Sequence, residues 1–488
     1  MLRRLLGSIG EWFDSRVQFR STLLPVLEHP IPRSVAGPQG WWYVFGSASM
    51  TLLMIQIITG IGLALVYVPS ADQAYESLLY LNNQQPLGKL LRSMHYYAGS
   101  GMVVMVLAHM TQVFLHGAYK YPRELTWVLG VFLLLCTLGM FFSGQVLRWD
   151  PDAYWGLAVA GSMAGRVPVA GPQVVHLVLG GSVIGGDSLS RFFTLHVFVI
   201  PGTLGLFLAI HLWLVLRKGI SDAPIPGQVV DPSTYDESYE EELKRGVPFL
   251  GEAMLKDIFF SALTVIIVVA ISAILGPKGP SGPVDPTLGG ANPRPEWPFL
   301  WLFALLSISP PEAETFIILV FPVLLIIGLL LVPFLSNRGE RAPSRRPAAV
   351  LTVIVGYTLM GVLTYLGVTA PWSPKMTAWS GDPIPPRIVK NSTPLLLQGA
   401  IQFQNKNCRN CHALDGLGGR RGPDLSKVGM ELTRNQLIDQ ISNGTPGGGN
   451  MPAYGKQMKP TEMTALVDFL VSLRPIGQKP SESPETLP

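Results

Sequence analysis

Cysteine is scarce: the 488 residues hold three, Cys136 inside an apolar run and Cys408 and Cys411 near the C-terminus. That excludes a disulfide framework. Charge is equally thin, with 14% of residues charged against 48% hydrophobic and a formal net charge of +4, which is not the balance of a soluble domain. The basic residues fall in short clusters between apolar runs and form no stripe, so nucleic acid is excluded as a partner and membrane lipid is expected instead. A cleavable leader is not expected from the first residues either. Met1-Leu-Arg-Arg-Leu-Leu continues into Glu11, Asp14 and Arg16, an interfacial amphipathic segment in character. Export of the C-terminal part is then expected to be driven by the transmembrane helices.

What the sequence has instead is long apolar runs. Seven can cross a hydrocarbon core of about 30 Å, at roughly 42–68, 90–116, 125–147, 192–217, 256–275, 313–335 and 348–370. An eighth, 298–309, is short, ends at Pro310-Pro311, and reads as a surface or re-entrant helix. The expected fold is all-α: a seven-span bundle, with a four-helix core and three further helices, followed by a small all-α domain. Segment by segment this gives an amphipathic start (1–41), the core (42–221), a loop (222–254), three spans (255–370), a stiff Pro-rich linker (371–392), the small domain (393–475) and a disordered tail (476–488). The linker carries Pro371, Pro374, Pro383, Pro385 and Pro386, which favour an extended chain.

Lys and Arg of short loops set orientation. Arg3, Arg4, Arg16, Arg20 and Arg33 precede the first span, Lys120 and Arg123 follow the second, and Arg338, Arg341, Arg345 and Arg346 follow the sixth. Counting spans puts all three clusters on one side, expected to be the cytoplasm. An odd number of spans then carries the small domain to the outer face, the periplasm in a bacterial-type inner membrane.

Four of the eight histidines sit inside spans: His95 and His109 in the second, His196 and His211 in the fourth. Ionisable groups are costly in hydrocarbon and usually have a functional partner there. The spacings, fourteen and fifteen residues, are close to four helical turns, so each pair lies on one face about 21–22 Å apart. The two spans are parallel by the count, which matches His95 with His196 and His109 with His211. Such a register can hold two stacked haems, each iron taking one imidazole from each helix. A satisfied interior histidine is the alternative for any one of them, but four in register leave it little room. Gly46 and Gly60 in the first span, and Gly130 and Gly144 in the third, repeat the fourteen-residue step and would let a planar macrocycle approach the backbone; ordinary helix packing is their other reading.

Cys408-Arg409-Asn410-Cys411-His412 is a covalent haem attachment sequence, with two thiols for the vinyl groups and an imidazole for the iron. Chance or zinc are the general alternatives, and an outer-face domain of about 80 residues favours haem c. Met451, in Asn450-Met451-Pro452, resembles the distal Met-Pro loop of cytochromes c. Gly422-Pro423-Asp424-Leu425 resembles the loop whose proline carbonyl accepts from the proximal imidazole. Gly399 and Phe403, with Phe469 and Leu470, look like the crossing of first and last helices. Arg420 and Arg421 are either an acceptor-docking pair or a solvated loop.

In the membrane part, Arg92-Ser93-Met94-His95, Pro122-Arg123-Glu124-Leu125-Thr126-Trp127, Trp149-Asp150, Arg191-Phe192-Phe193-Thr194-Leu195-His196 with Pro201, and Pro295-Glu296-Trp297 resemble cytochrome b of the quinol:cytochrome c or plastocyanin reductases over about residues 30–370. The spacing in the fourth span and the Pro-Arg-Glu-Leu-Thr-Trp stretch are more similar to the bf branch, here fused into one chain and continued into a class I cytochrome c domain. The resemblance implies two non-covalent b haems, Arg92 and Arg191 near the outer one facing its propionates, and an outer quinol site lined by Glu296. A carboxylate beside an apolar pocket can accept a quinol proton. Trp297 belongs either to that site or to the membrane interface. Pro298 stands where the family has Tyr, and Val44 where the bf branch has the cysteine of an extra covalent haem. Cys136 reads as a small buried residue.

His116 and Arg217, at inner span ends, are candidates for a quinone-reduction site or its proton path, with interfacial snorkelling as the alternative. His29 and His176 receive no role. The expected activity is quinol oxidation at the outer face. One electron crosses through the b haems; the other leaves through haem c to a c-type cytochrome or other acceptor, with proton translocation. A Rieske protein needs two Cys and two His ligands; no such set remains here, so that partner is expected on a separate chain. A homodimer is implied by the resemblance. The competing reading is a di-haem conduit linking a dehydrogenase to haem c, with no bifurcating quinol site.

Overall fold

The computed structural model describes residues 11–12, 14–16, 18–181, 184–284, 294–369, 384, 387–389, 393–406, 408–415, 417–418, 422–444, 451 and 453–474. Residues 1–10 of the amphipathic start, the five linker prolines, Arg420, Arg421 and the tail 476–488 lie outside them.

Among the described residues, seven helices are long and apolar enough to cross a membrane: Phe45–Ala64, Gly88–Leu115, Glu124–Val146, Gly186–Lys218, Glu252–Leu275, Phe316–Leu335 and Pro347–Thr369. These are the seven runs expected from the sequence. The eighth run is a short helix, Leu300–Ile308, entered through the 3-10 turn Trp297–Phe299.

The chain divides into two compact units, the first made of 1–148, 189–280 and 323–356. Its spans turn large apolar side chains outward, among them Ile58, Ile61, Phe259 and Ile266, as helices facing hydrocarbon do. Its loops are tied together at one end. Pro30–Ile31 pairs antiparallel with Val247–Pro248, and Val229–Val230 with Gly339–Glu340. Lys120 Nζ donates to the Ser336 and Arg338 carbonyls at 2.7 and 2.6 Å. Arg346 donates to the carbonyls of Phe114 and Leu115 and to the Tyr119 hydroxyl. The loops before the first span and after the second, fourth and sixth therefore share one face, as an alternating topology requires. Arg341 closes this cap: its guanidinium meets Asp222 Oδ1 at 2.6 Å and the Ser221 hydroxyl at 2.5 Å.

The second unit comprises 149–188, 281–322 and 357–488. Asp150, fully buried, caps the helix Pro151–Ala164 by accepting from the Ala153 N–H at 2.9 Å. Pro151 at the first helical position loses no hydrogen bond by lacking an N–H. The other Asp150 oxygen accepts from the Ser281 N–H at 3.2 Å. Arg166 pairs with Glu314 at 3.0 Å.

In the C-terminal part of this unit, the helices Pro394–Asn405 and Pro460–Ser472 cross at Gly399. A Cβ there would stand 2.0 Å from the Ala465 carbonyl oxygen and 2.5 Å from the Phe469 Cβ, so only glycine permits this approach. Phe403 and Phe469 meet edge to face at 5.9 Å. With Leu437, Ile441 and Leu466 they form the buried core, each side chain worth about 1.5–3 kcal/mol of burial. Thr433 and Gln436 close a capping box on the helix Arg434–Asn443. The crossing expected of the first and last helices is present.

Candidate functional site

His95 and His196 face each other with ring centroids 6.2 Å apart and planes at 74°. Two imidazoles bonding one metal from opposite sides, at metal–nitrogen distances of about 2 Å plus about 1 Å from each nitrogen to its ring centre, would stand about 6 Å apart. The pair therefore fits a haem held between the second and fourth spans. Glycines on the neighbouring spans make room for the rings. A Cβ on Gly60 would stand 3.2 Å from His95 Cε1, and one on Gly144 2.7 Å from His196 Cε1.

At the second pair, fourteen residues along the second span, glycines again face the rings. A Cβ on Gly46 would stand 3.4 Å from His109 Cε1, and one on Gly130 3.9 Å from His211 Cε1. A Cβ would crowd the imidazole at Gly60 and Gly144, whereas at Gly46 and Gly130 it would meet the ring at ordinary contact distance. The fifteen-residue step in the fourth span has a backbone cause. Leu195–Val199 is a π-helical turn around His196, between α-helical Gly186–Thr194 and Ile200–Lys218. Pro201 has no N–H for the Val197 carbonyl, and a π turn absorbs one extra residue. Fifteen residues here therefore cover about the depth of fourteen in the second span.

The ring nitrogens differ between the pairs. His95 Nδ1 lies 2.9 Å from Thr59 Oγ1 and His196 Nδ1 3.0 Å from Ser143 Oγ. His109 Nδ1 and His211 Nδ1 are buried with no hydrogen-bond partner. Sequence reasoning does not single out Thr59 or Ser143; their one signal is that each immediately precedes a glycine of the fourteen-residue repeat.

Arg92 is buried, and its donors reach two main-chain carbonyls and one side-chain amide. Nη1 meets the Gly279 carbonyl at 2.6 Å and Asn82 Oδ1 at 3.1 Å, and Nη2 the Lys278 carbonyl at 2.7 Å. One turn from His95, this side chain ties the end of the fifth span to the second. Arg191 is exposed. Cys136 is partly buried in the third span.

At the opposite end, His116 Nδ1 meets Gln112 Nε2 at 3.1 Å, and its ring lies about 6 Å from those of Trp42 and Tyr43. Arg217 is exposed and stacks over Trp213 at 5.8 Å, so the two inner candidates have different neighbours. Asp257, which sequence reasoning also missed, sits in the fifth span and accepts from the Ser47 hydroxyl at 2.9 Å.

In the second unit, Glu296 is buried at 3% exposure in extended backbone, directly before the turn Trp297–Phe299. Its carbonyl accepts from the Phe299 N–H at 2.9 Å. Pro298 is buried inside that turn, where a first-turn proline is tolerated. The departure from Tyr therefore leaves the turn that presents Glu296 intact. Trp297 is partly buried.

Cys408–Asn410 form a 3-10 turn, and the His412 N–H returns to the Cys408 carbonyl at 2.9 Å. That places two thiols and the imidazole on one short loop. His412 Nδ1 donates to the Pro423 carbonyl at 2.9 Å, the contact expected of Pro423. Gly422 packs against the ring: a Cβ would stand 2.5 Å from its Cε1. Burial holds the His412 imidazole below its usual range, hence neutral, the form that bonds iron through Nε2. Met451 packs on the core, and its sulfur accepts from Gln440 Nε2 at 3.7 Å, a donor not foreseen from the sequence. The set fits a haem c.

Three families match in order along the chain: cytochrome b/b6/petB over residues 30–219, C-terminal cytochrome b/b6/petD over 283–381, and cytochrome c oxidase cbb3-type subunit III over 395–470. Cytochrome b6 of Synechococcus elongatus is 33% identical over 216 residues, covering 44% of this chain and 99% of the relative. The menaquinol:cytochrome c reductase cytochrome b subunit of Bacillus subtilis (strain 168) is 34% identical over 221 residues, covering 44% and 99%. Among solved structures, a hyperthermophilic respiratory Complex III matches with a TM-score of 0.62 and 27% identity, over 75% of this chain and 92% of that one. With its histidine-bearing spans and its terminal haem c domain in a single polypeptide, the chain belongs to the cytochrome b/b6 family.

Proposed function

We propose that the chain is the cytochrome b/c core subunit of a quinol:cytochrome c reductase in a bacterial-type inner membrane, with its N-terminus cytoplasmic and its c domain on the outer face. The observation that carries this is the His95–His196 pair, 6.2 Å apart, repeated fourteen residues deeper in a chain that also bears Cys408, Cys411 and His412. The relatives' names, menaquinol:cytochrome c reductase and Complex III, point to the same class.

In this reading His95 and His196 hold an outer haem b and His109 and His211 an inner one, both non-covalent. Cys408 and Cys411 would hold a haem c covalently through their thiols, and His412 and Met451 would be its iron ligands. The bound haems supply one-electron transfer. Quinol gives up two electrons and two protons at the outer site. Glu296 accepts one quinol hydroxyl proton and passes it to outer water, the other proton is released to the same water, and Trp297 bounds the site. One electron leaves to a Rieske protein on a separate chain and then outward through the c domain to a c-type cytochrome or other acceptor. The other moves inward along the two histidine pairs to a quinone near His116 and Arg217, where protons are taken up from the cytoplasm. Two copies are expected to form a homodimer.

The test is stepwise reduction of the purified complex with a quinol analogue, with and without an outer-site inhibitor, recording b and c absorbance. Inhibitor-sensitive reduction of both supports bifurcated oxidation. Reduction of haem b with no inhibitor-sensitive electron at haem c would replace it by the di-haem conduit.

A further inference from the structure

We propose that the hydroxyls of Thr59 and Ser143 lower the reduction potential of the outer haem b below that of the inner one and so set the inward direction of electron transfer. The inference deepens the functional reading and rests on His95 and His196 being iron ligands.

The residue before each of the four glycines is what differs between the two depths. At the outer pair the dipeptides are Thr59-Gly60 and Ser143-Gly144; at the inner pair they are Phe45-Gly46 and Leu129-Gly130. Both hydroxyls are buried, at 2% and 1% exposure, and both have committed their own proton to the helix backbone. Thr59 Oγ1 donates to the Ile55 carbonyl at 2.5 Å and Ser143 Oγ to the Gly139 carbonyl at 2.8 Å. Each oxygen therefore offers only lone pairs to the imidazole nitrogen facing it, at 2.9 and 3.0 Å. The ring nitrogen in those contacts must carry the proton, which fixes the Nδ1–H tautomer and leaves Nε2 for the metal.

A hydrogen bond accepted from Nδ1–H makes the imidazole a stronger donor, which favours oxidised over reduced iron and lowers the potential. The effect acts on both axial ligands of the outer site. At the inner site neither Nδ1 has a hydrogen-bond partner. Main-chain carbonyls accompany three of the four rings, those of Gln56 and Met140 at the outer pair and that of Thr126 at His211, so they are common to both depths. The hydroxyls are the added element.

The experiment is potentiometric titration of the b-haem absorbance in the purified complex, with total haem b measured alongside. Thr59→Val and Ser143→Ala are each expected to keep both b haems and raise the lower-potential wave, leaving the higher one unmoved. Thr59→Ser, which retains the hydroxyl, is expected to titrate like the parent. Leu129→Thr is a gain-of-contact variant that does not depend on the outer site's tolerance, and it is expected to lower the higher wave. An unmoved lower wave in Thr59→Val and Ser143→Ala with both haems present overturns the proposal alone. Full haem b content in His196→Leu overturns the ligand reading and the proposal with it.

Discussion

Gly144 and His196 are so close that a Cβ on the glycine would stand 2.7 Å from Cε1 of the ring, whereas the corresponding distance from Gly130 to His211 is 3.9 Å. The first is closer than real Cβ contacts come, and the second is ordinary van der Waals contact. Gly144→Ala should therefore displace the His196 ring and cost the outer site its haem, removing about half of the b absorbance if each pair of imidazoles holds one iron. Gly130→Ala should leave haem b content near that of the parent. A pyridine haemochrome assay on both variants decides this, and equal retention would mean that the rings are not held against these glycines.

Glu296 is buried at the entrance to the turn Trp297–Phe299. Replacing it with Gln keeps the shape and removes the proton acceptor. General-base contributions run to about a hundredfold or more, so Glu296→Gln should slow quinol-driven cytochrome c reduction by about that factor with all haems retained. Pro298→Tyr should change the rate little, because Pro298 occupies a first-turn position that other residues also fill. Steady-state cytochrome c reduction checks both, and an unchanged rate in Glu296→Gln would remove Glu296 from the reaction.

The spans were legible because length and composition decide membrane crossing, and the histidine register because 3.6 residues per turn turns a spacing into a depth. The unequal spacings were legible, but their cause was not. It lies in the π turn at Leu195–Val199, and a proline at 201 is compatible with an ordinary helix as well. Thr59 and Ser143 gave no signal of their own, since a hydroxyl in a helix interior usually just bonds back to a carbonyl one turn earlier. Both do that here, and the ring contact is additional. Arg92 carries contacts that the motif did not suggest: it stands one turn from His95, and two of the carbonyls it holds come from residues 278 and 279.

Met451 packs on the core of the c domain, as Met458 and Met463 also do, and Gln440 donates to the Met451 sulfur at 3.7 Å. Met451→Leu should abolish the sulfur-to-iron charge-transfer band of oxidised haem c and lower its potential, with covalent haem content unchanged because Cys408 and Cys411 are untouched. Gln440→Leu should keep the band and shift the potential, since it removes a contact to the ligand rather than the ligand. An intact band in Met451→Leu would assign the sixth position to another residue.

Arg341 and Asp222 are 119 residues apart in sequence and joined at 2.6 Å in the cap on the loop face of the bundle. Their side chains are 5% and 12% exposed, and the guanidinium also holds the Ser221 hydroxyl at 2.5 Å. Removing one partner of a buried pair leaves the other charge uncompensated, at a cost of about 3–5 kcal/mol, whereas replacing both by apolar residues is often close to neutral. Arg341→Leu should therefore lower the thermal midpoint of the detergent-solubilised complex markedly, and Arg341→Leu with Asp222→Leu should recover much of the loss. Thermal unfolding followed by loss of b-haem absorbance measures both. If the double variant were as unstable as the single one, the contribution would come from the hydrogen bonds to Ser221 and the Asp222 main chain and not from charge pairing, because those bonds are lost in both variants.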